Sequence, residues 1–357
     1  MKIVLLSWHY MEYIIELANS LAKSEDVILV VPEGFKEYYK LNGNRRFKIE
    51  YFKRPRLRYA TNIFYSLEIV TKIKKIDPDI IHMQDSDPWF SCVLWLLRNY
   101  SIVTTLHDPK QHLGEEKLRE TFRDIITKKF TKRYIVHGEF LKNQLHKQLN
   151  IDVKHIDNIP HGNFNSFFKK IPRKRSKIKK ILFFGRIWHY KGLEYLIKAE
   201  SYIRRQLEDY KIVIAGYGEP FDKYRKLIKN PDKFEIHNRY IKNDEIPYFF
   251  SEADVIVLPY TEATQSGIIP IAYAFKKPVV ATRVGSIPEI VKNGVTGILI
   301  PPKSAKKLAN AVIYLLKRPS MMRSLGKKGY EKNCTDLSWD TIAKKTIQTY
   351  KNAYQNK

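Results

Sequence analysis

Two cations five residues apart carry the first chemical signal in this chain. Arg186 and Lys191 lie in the stretch ILFFGRIWHYKG, residues 181–192. Its apolar run, residues 181–184, reads as a buried strand of a parallel sheet. Gly185 ends that strand, and a helical pattern begins at Leu193. A strand that stops at a glycine and brings cations to the N-terminus of a helix suits an anion. The free amides and the positive end of the dipole favour phosphate there. An ordinary strand–loop–helix joint with two solvated cations satisfies the same residues, and both readings stand at this point.

A second stretch of the same kind begins at Thr261. Ser266 and Gly267 open an expected helix over residues 268–275, whose first amides would form another anion site. For Gly267 alone, a plain turn before a buried helix is a fair account. Gly285, Gly294 and Gly297 punctuate the turns that follow, and Pro301-Pro302 ends the segment. A turn does not explain why two helix starts and two cations converge on one sheet edge.

The elements that must position these groups alternate along the chain. Short apolar strands are expected at residues 2–6, 27–31, 79–83, 101–106 and 133–136. Helical spacing lies between them, at 12–23, 62–75, 88–98, 119–133 and 139–149. The second half repeats the pattern, with strands at 211–215, 234–237, 255–258 and 278–281. Alternating strands and helices predict parallel sheets covered on both faces. At 357 residues the chain suits two domains. The basic run KKIPRKRSKIKK, residues 169–180, keeps no core-facing pattern and is taken as the boundary. The domains expected are 1–172 and 173–337, with a helix at about 338–357 packing back on the first. Two doubly wound halves of this kind present a cleft at the carboxyl ends of their strands, where ligands of open α/β sheets bind.

Composition narrows the function. Lys and Arg number 64 against 37 Asp and Glu, a net charge of +27. That excess draws anions: nucleic acid, an anionic membrane or phosphorylated small molecules. No helix-turn-helix, zinc finger or RNA-binding aromatic motif accompanies the basic run, which disfavours nucleic acid. A nicotinamide enzyme is disfavoured as well. The first strand is followed by Ser7-Trp8-His9-Tyr10-Met11, without a G-x-G-x-x-G loop. Cys92 and Cys334 match no metal spacing, and no D-x-D pattern offers a metal site, so neither metal nor cofactor is expected. The most apolar window, residues 89–97, is about half the length needed to cross a bilayer. The expected location is the cytoplasm, with cations at 72–75 and 117–133 able to rest on the anionic inner face of the membrane.

The segment from Phe183 to Pro302 resembles the donor-binding domain of family 4 glycosyltransferases of the GT-B fold. The pieces that carry the resemblance are FFGRIWHYKGLEYLIKA, IAGYG, ADVIVLPY, SGIIPIAYA and KPVVATRVGSIPEIVKNGVTG. TTLHDP and IPHG fit the acceptor-side domain less diagnostically. The resemblance implies two Rossmann-like doubly wound domains facing each other across a cleft. It implies transfer of a sugar from a nucleotide-sugar donor to a glycan or lipid-linked saccharide, with retention of configuration and without a metal. By position it assigns Arg186 and Lys191 to the diphosphate, and His107 to the donor sugar. Gly185, Gln265, Ser266, Gly267 and Ile268 fall to the phosphate loop, and Tyr240 and Ile241, beside Arg239, to the base. Ser7, Trp8, His9 and Asp108 would serve the acceptor side.

The family often carries two glutamates eight residues apart. Here the two alignments put Thr264 and Ala272, or Ala263 and Ile271, at those places. Glu262 is the nearest carboxylate and is taken as a donor contact. The missing pair keeps open a catalytically silent nucleotide-sugar-binding protein. A basic nucleic-acid-binding protein is the third alternative.

Overall fold

The computed structural model describes residues 1–36, 46–54, 56, 58–85, 87–107, 125–165, 168, 171 and 176–355. The chain divides into two compact units, Met1–Pro160 with Trp339–Lys357, and His161–Ser338. This division falls earlier than the boundary expected from the basic run. Lys179 and Lys180, counted there as linker, are the first residues of a strand. The Lys180 amide donates to Asp254 Oδ2 at 2.8 Å, and its ammonium lies 3.6 Å from Glu252.

The first unit is built on a parallel sheet of β1 (Lys2–Ser7), β2 (Asp26–Pro32), β3 (Lys48–Phe52), β4 (Ile80–Gln84), β5 (Ser101–Leu106), β6 (Thr131–Val136) and β7 (Ile156–Asn158). Among the described residues its order is β3-β2-β1-β4-β5-β6-β7. Strand side chains alternate between faces, so β1 feeds two cores. Ile3 and Leu5 pack with Val27, Leu29 and the helix Met11–Leu21, while Val4 and Leu6 pack with Ile28, Val30 and the helix Asn62–Ile76. The helix Trp339–Tyr354 belongs to this unit, its Ile342, Ala343, Tyr350 and Ala353 joining the Ile3–Leu5 core. The helix expected over 88–98 breaks in two, an α-helix Pro88–Val93 and a 3-10 turn Leu94–Leu97. Of the basic helix expected over 119–133, residues 119–124 lie outside the described residues, 125–130 are helical, and 131–133 already belong to β6.

The second unit holds β8 (Lys179–Phe184), β9 (Tyr210–Ala215), β10 (Phe234–His237), β11 (Val255–Leu258), β12 (Val279–Thr282) and β13 (Gly297–Ile300), in the order β10-β9-β8-β11-β12-β13. Leu182, Phe184, Ile256 and Leu258 face one core, shared with the helices Ile246–Glu252 and Ile268–Ala274. Ile181, Phe183, Val255 and Val257 face the other, shared with the helices Leu193–Ile203 and Ala305–Leu316. In each sheet the strand order reverses once, between β1 and β4 and between β8 and β11. Loops leaving the carboxyl ends of those pairs flank a crevice, the usual ligand position of a doubly wound sheet.

Candidate active site

In the second unit, the switch point brings the loop after β8 beside the loop after β11. The chain leaves β8 at Gly185 and reaches the helix Leu193–Ile203 through Gly192, whose φ is +65°. A Cβ on Gly192 would lie 2.0 Å from the Pro259 carbonyl oxygen, so only glycine lets the two loops approach this closely. Gly216, at φ +145°, meets the Gly185 carbonyl in the same way at 1.9 Å. Backbone bonds complete the seam: Thr261 N donates to Tyr190 O at 2.8 Å, and Ile187 N to Tyr217 O at 2.9 Å.

The side chains on this seam form one connected group. Arg186 is exposed and donates from Nη2 to Tyr190 Oη at 2.9 Å. Its guanidinium carbon lies 5.9 Å from the Trp188 ring. Lys191 Nζ sits 3.9 Å from the centre of the Tyr260 ring and 5.0 Å from that of Tyr190. Tyr260 is buried, which pushes its hydroxyl up to about 12, so it stays protonated, and that hydroxyl lies 3.3 Å from Ser266 Oγ. Tyr260 therefore joins the lysine of one loop to the serine of the next. Ile268 reaches back over Gly185, where a Cβ would lie 3.5 Å from its Cδ1. The helix after Gly267 has no side-chain cap and spans seven residues, Ile268–Ala274. A dipole that short leaves most of the attraction for an anion to the two cations. Gln265 Oε1 and Ser286 Oγ are buried without a hydrogen-bond partner among the described residues. Such groups are costly unless a ligand or water completes them.

Other expected residues divide between surface and core. Tyr240 is 61% exposed, and its ring packs edge-on against Tyr217 at 5.9 Å. Ile241 is buried in the core, and Arg239 is held by Glu245 through bonds of 2.8 and 2.5 Å. The Arg239 hydrogen bonds hold the Glu245 carboxyl down at about 2. Glu262 is half-buried. Thr264, Ala272, Ala263 and Ile271 are all buried, so neither alignment of the missing glutamates falls on an open surface.

In the first unit, Ser7 and Trp8 leave β1 at its switch point. Ser7 is fully buried and its hydroxyl donates to the His9 carbonyl. Trp8 packs between Phe90 at 5.2 Å and Phe52 at 6.4 Å. Arg54 crosses this loop, donating to Trp8 O at 2.9 Å and pairing with Asp87 at 3.4 Å, and lies 3.3 Å from His9 Nε2. Desolvation, and then the Arg54 cation, hold His9 below the ordinary histidine value. A cavity of about 590 Å³ opens here, lined by Trp8, Met11, Phe35, Lys53, Arg54 and Tyr65 among others. Asp108 lies outside the described residues.

His107 directly follows β5 and is 2% exposed. Its Nε2 lies 2.8 Å from Gln84 Oε1, and its Nδ1 lies 3.1 Å from His137 Nε2. Tyr10, held at a left-handed φ of 57°, stacks on the imidazole at 3.9 Å. A bulky residue in that region is an outlier that the surrounding packing must enforce. Sequence reasoning missed Gln84, His137, Tyr190, Tyr217 and Tyr260. The three tyrosines lie inside the quoted segments ILFFGRIWHYKG, IAGYG and ADVIVLPY, whereas Gln84 and His137 left no such trace.

The described residues contain no group of three His, Cys, Asp or Glu poised to hold a metal, and no helix long and apolar enough to cross a membrane. The two doubly wound units give the architecture of a GT-B glycosyltransferase. A sucrose-phosphate synthase from Thermosynechococcus elongatus has the same fold, with a TM-score of 0.77 at 20% identity over 100% of both chains. An Anabaena protein solved with UDP matches at a TM-score of 0.75 and 17% identity, over 99% of this chain and 100% of its own. In sequence, the model for glycosyl transferases group 1 matches residues 164–332, and that for glycosyltransferase family 4 matches residues 12–162. An uncharacterized glycosyltransferase of Methanocaldococcus jannaschii is 27% identical over 99% of each chain. The chain belongs to the family 4 glycosyltransferases, and is a nucleotide-sugar-dependent enzyme.

Proposed function

We propose that the seam between the β8 and β11 loops is a diphosphate clamp. Arg186 and Lys191 would hold the nucleoside diphosphate of the donor, with Gln265, Ser266 and the amides at Gly267 and Ile268 completing the grip. Breaking the bond between sugar and diphosphate develops negative charge on the departing group. Fixed cations lower the barrier because they are already in place as that charge grows. The observation that carries the reading is the Lys191–Tyr260–Ser266 chain, which sets the ammonium beside the second loop. The UDP bound by the Anabaena neighbour supports a nucleoside diphosphate as ligand. Tyr240 and Ile241 would flank the base, and Glu262 and His107 the sugar.

The acceptor in this reading is a glycan or lipid-linked saccharide of cell-surface polysaccharide synthesis, met near Ser7, Trp8, His9 and Asp108. Transfer proceeds with retention and without a metal. The charge of +27 supports work in the cytoplasm against an anionic membrane face.

A panel of UDP-, GDP- and ADP-sugars tests the reading through melting temperature. A donor at a hundred times its Kd stabilises the folded chain by about 2.7 kcal/mol. One of the three is expected to raise the midpoint clearly. If none does, and none yields a free nucleoside diphosphate with acceptors present, the clamp reading fails.

A further inference from the structure

The buried side chains around His107 form a continuous hydrogen-bonded line whose protons can be counted. From the C-terminal helix inward, Tyr350 Oη lies 2.6 Å from His82 Nδ1, and His82 Nε2 lies 2.7 Å from Thr105 Oγ1. Gln84 Nε2 lies 3.2 Å from His82 Nε2, and Gln84 Oε1 lies 2.8 Å from His107 Nε2. His107 Nδ1 then meets His137 Nε2, and His137 Nδ1 lies 2.8 Å from the Ile159 carbonyl. His82, Gln84, His107, His137 and Tyr350 are all at least 98% buried.

The count starts at the far end. A carbonyl only accepts, so His137 Nδ1 carries a proton. A neutral His137 then has a bare Nε2, and His107 Nδ1 must donate to it. At the other side of the ring, the Gln84 carbonyl also only accepts, so His107 Nε2 must donate as well. The two imidazoles cannot meet these demands with one proton each. Either His107 carries two, or His137 does and donates to His107. In both cases the pair holds one proton beyond neutrality. Turning the Gln84 amide over removes the demand, because its NH₂ then donates to His107 Nε2. His82 must in that case move its own proton from Nδ1 to Nε2.

We propose that Gln84 is a positioning residue: with its amide oxygen on His107, it obliges the His107–His137 pair to keep one added proton. The groups facing the pair fit a cation. Asp85 accepts the His107 main-chain N–H at 3.1 Å, which sets a carboxylate close by. Tyr10 stacks on the ring and Tyr13 approaches it edge-on at 4.9 Å. Burial keeps Tyr13 and Tyr350 protonated and holds His82 neutral, at about 3, so none of these competes for the proton. The Gln84 amide dipole thereby couples the charge beside the β5 end to the tautomer of His82. The part played in transfer rests on the reading that His107 serves the donor sugar.

Long-range ¹⁵N–¹H spectra of the imidazoles, taken on the wild-type protein over about pH 5 to 8, read the count directly. His107→Asn and His137→Asn identify the signals. The expected result is that the pair titrates as a unit and shows imidazolium shifts that vanish as pH rises, while His82 stays neutral with its proton on Nδ1. Neutral tautomers for both rings throughout would overturn the proposal. Activity supplies the second arm, because a proton needed for transfer is lost as pH rises. Gln84→Glu, an obligate acceptor, should move the alkaline fall of kcat upward by about one pH unit or more, and Gln84→Leu should move it downward. A charged pair with unmoved profiles would overturn the positioning role and the place of His107 in transfer. The diphosphate clamp would then stand or fall on Arg186 and Lys191 alone.

Discussion

The two sheet edges solve the same topological problem with different materials. At the edge of the second unit, the loops after β8, β9 and β11 are joined through backbone, with Gly192 and Gly216 letting carbonyls pass within van der Waals contact. The cations stand on that seam, and the core lies below it. At the edge of the first unit, the polar groups are themselves the interior. Ser7, Gln84, His107 and His137 are buried, and Trp8 is wedged between Phe52 and Phe90. The proposed clamp sits on top of structure at one edge, whereas the polar groups at the other are woven into it. Changes to functional side chains should therefore spare stability in the second unit and damage it in the first.

The largest expected effect tests that division. Trp8→Ala empties a buried aromatic site and should cost about 3–5 kcal/mol of stability, read by denaturant unfolding. A cost below about 1 kcal/mol would mean that Trp8 is free to serve a ligand and the comparison is wrong. Gly192→Ala attacks the seam. Its Cβ would strike the Pro259 carbonyl from a left-handed backbone, so a loss of about 3 kcal/mol is expected, together with donor binding.

The pH dependence of stability is a finer test. Burial and then the repulsion of His137 depress His82 from 6.5 to about 3. Its neutral form is favoured only in the folded state, so its contribution is complete above about 6.5 and is lost as pH falls toward 3. The slope from this one group approaches about 1.4 kcal/mol per pH unit inside that window. Unfolding curves of His82→Asn should be flatter with pH than wild type by that amount. The smallest effect concerns Tyr260. Tyr260→Phe keeps the face under Lys191 and should leave donor affinity close to wild type. Tyr260→Leu removes the face, at about 1–2 kcal/mol or roughly tenfold in Kd.

Much of the fold can be read from the chain because buried parallel strands are written as unbroken apolar runs. Residues 255–258, VIVL, form a strand over that very span, and 101–106 and 234–237 do so too although SIVTTL and FEIH carry polar residues. The strand β3 escapes because it alternates exposed and half-buried residues at a sheet edge, only Phe52 being buried, and β7 is only three residues long. In the second unit, Arg186, Lys191 and Gly267 belong to local strand–turn–helix patterns, and such patterns survive in sequence. The His107 line is different. His82 meets Tyr350 across 268 residues, and His137 meets His107 across 30. No local spacing encodes such contacts, and Gln84 falls just beyond the strand expected at 79–83. The domain boundary misled for a related reason. The positive run is conspicuous, yet Lys179 and Lys180 already belong to β8.

The claim at the centre of this account is that Arg186 and Lys191 stabilise the departing diphosphate. It is tested most directly by nucleoside diphosphate release, measured with donor and acceptor for wild type and for Arg186→Ala/Lys191→Ala. Losing a single preorganised donor typically costs 10²–10³ in rate. The double variant should therefore fall by roughly 10³ or more while its melting temperature without ligand stays within a few degrees of wild type. Transfer at the wild-type rate in a folded double variant would contradict the account.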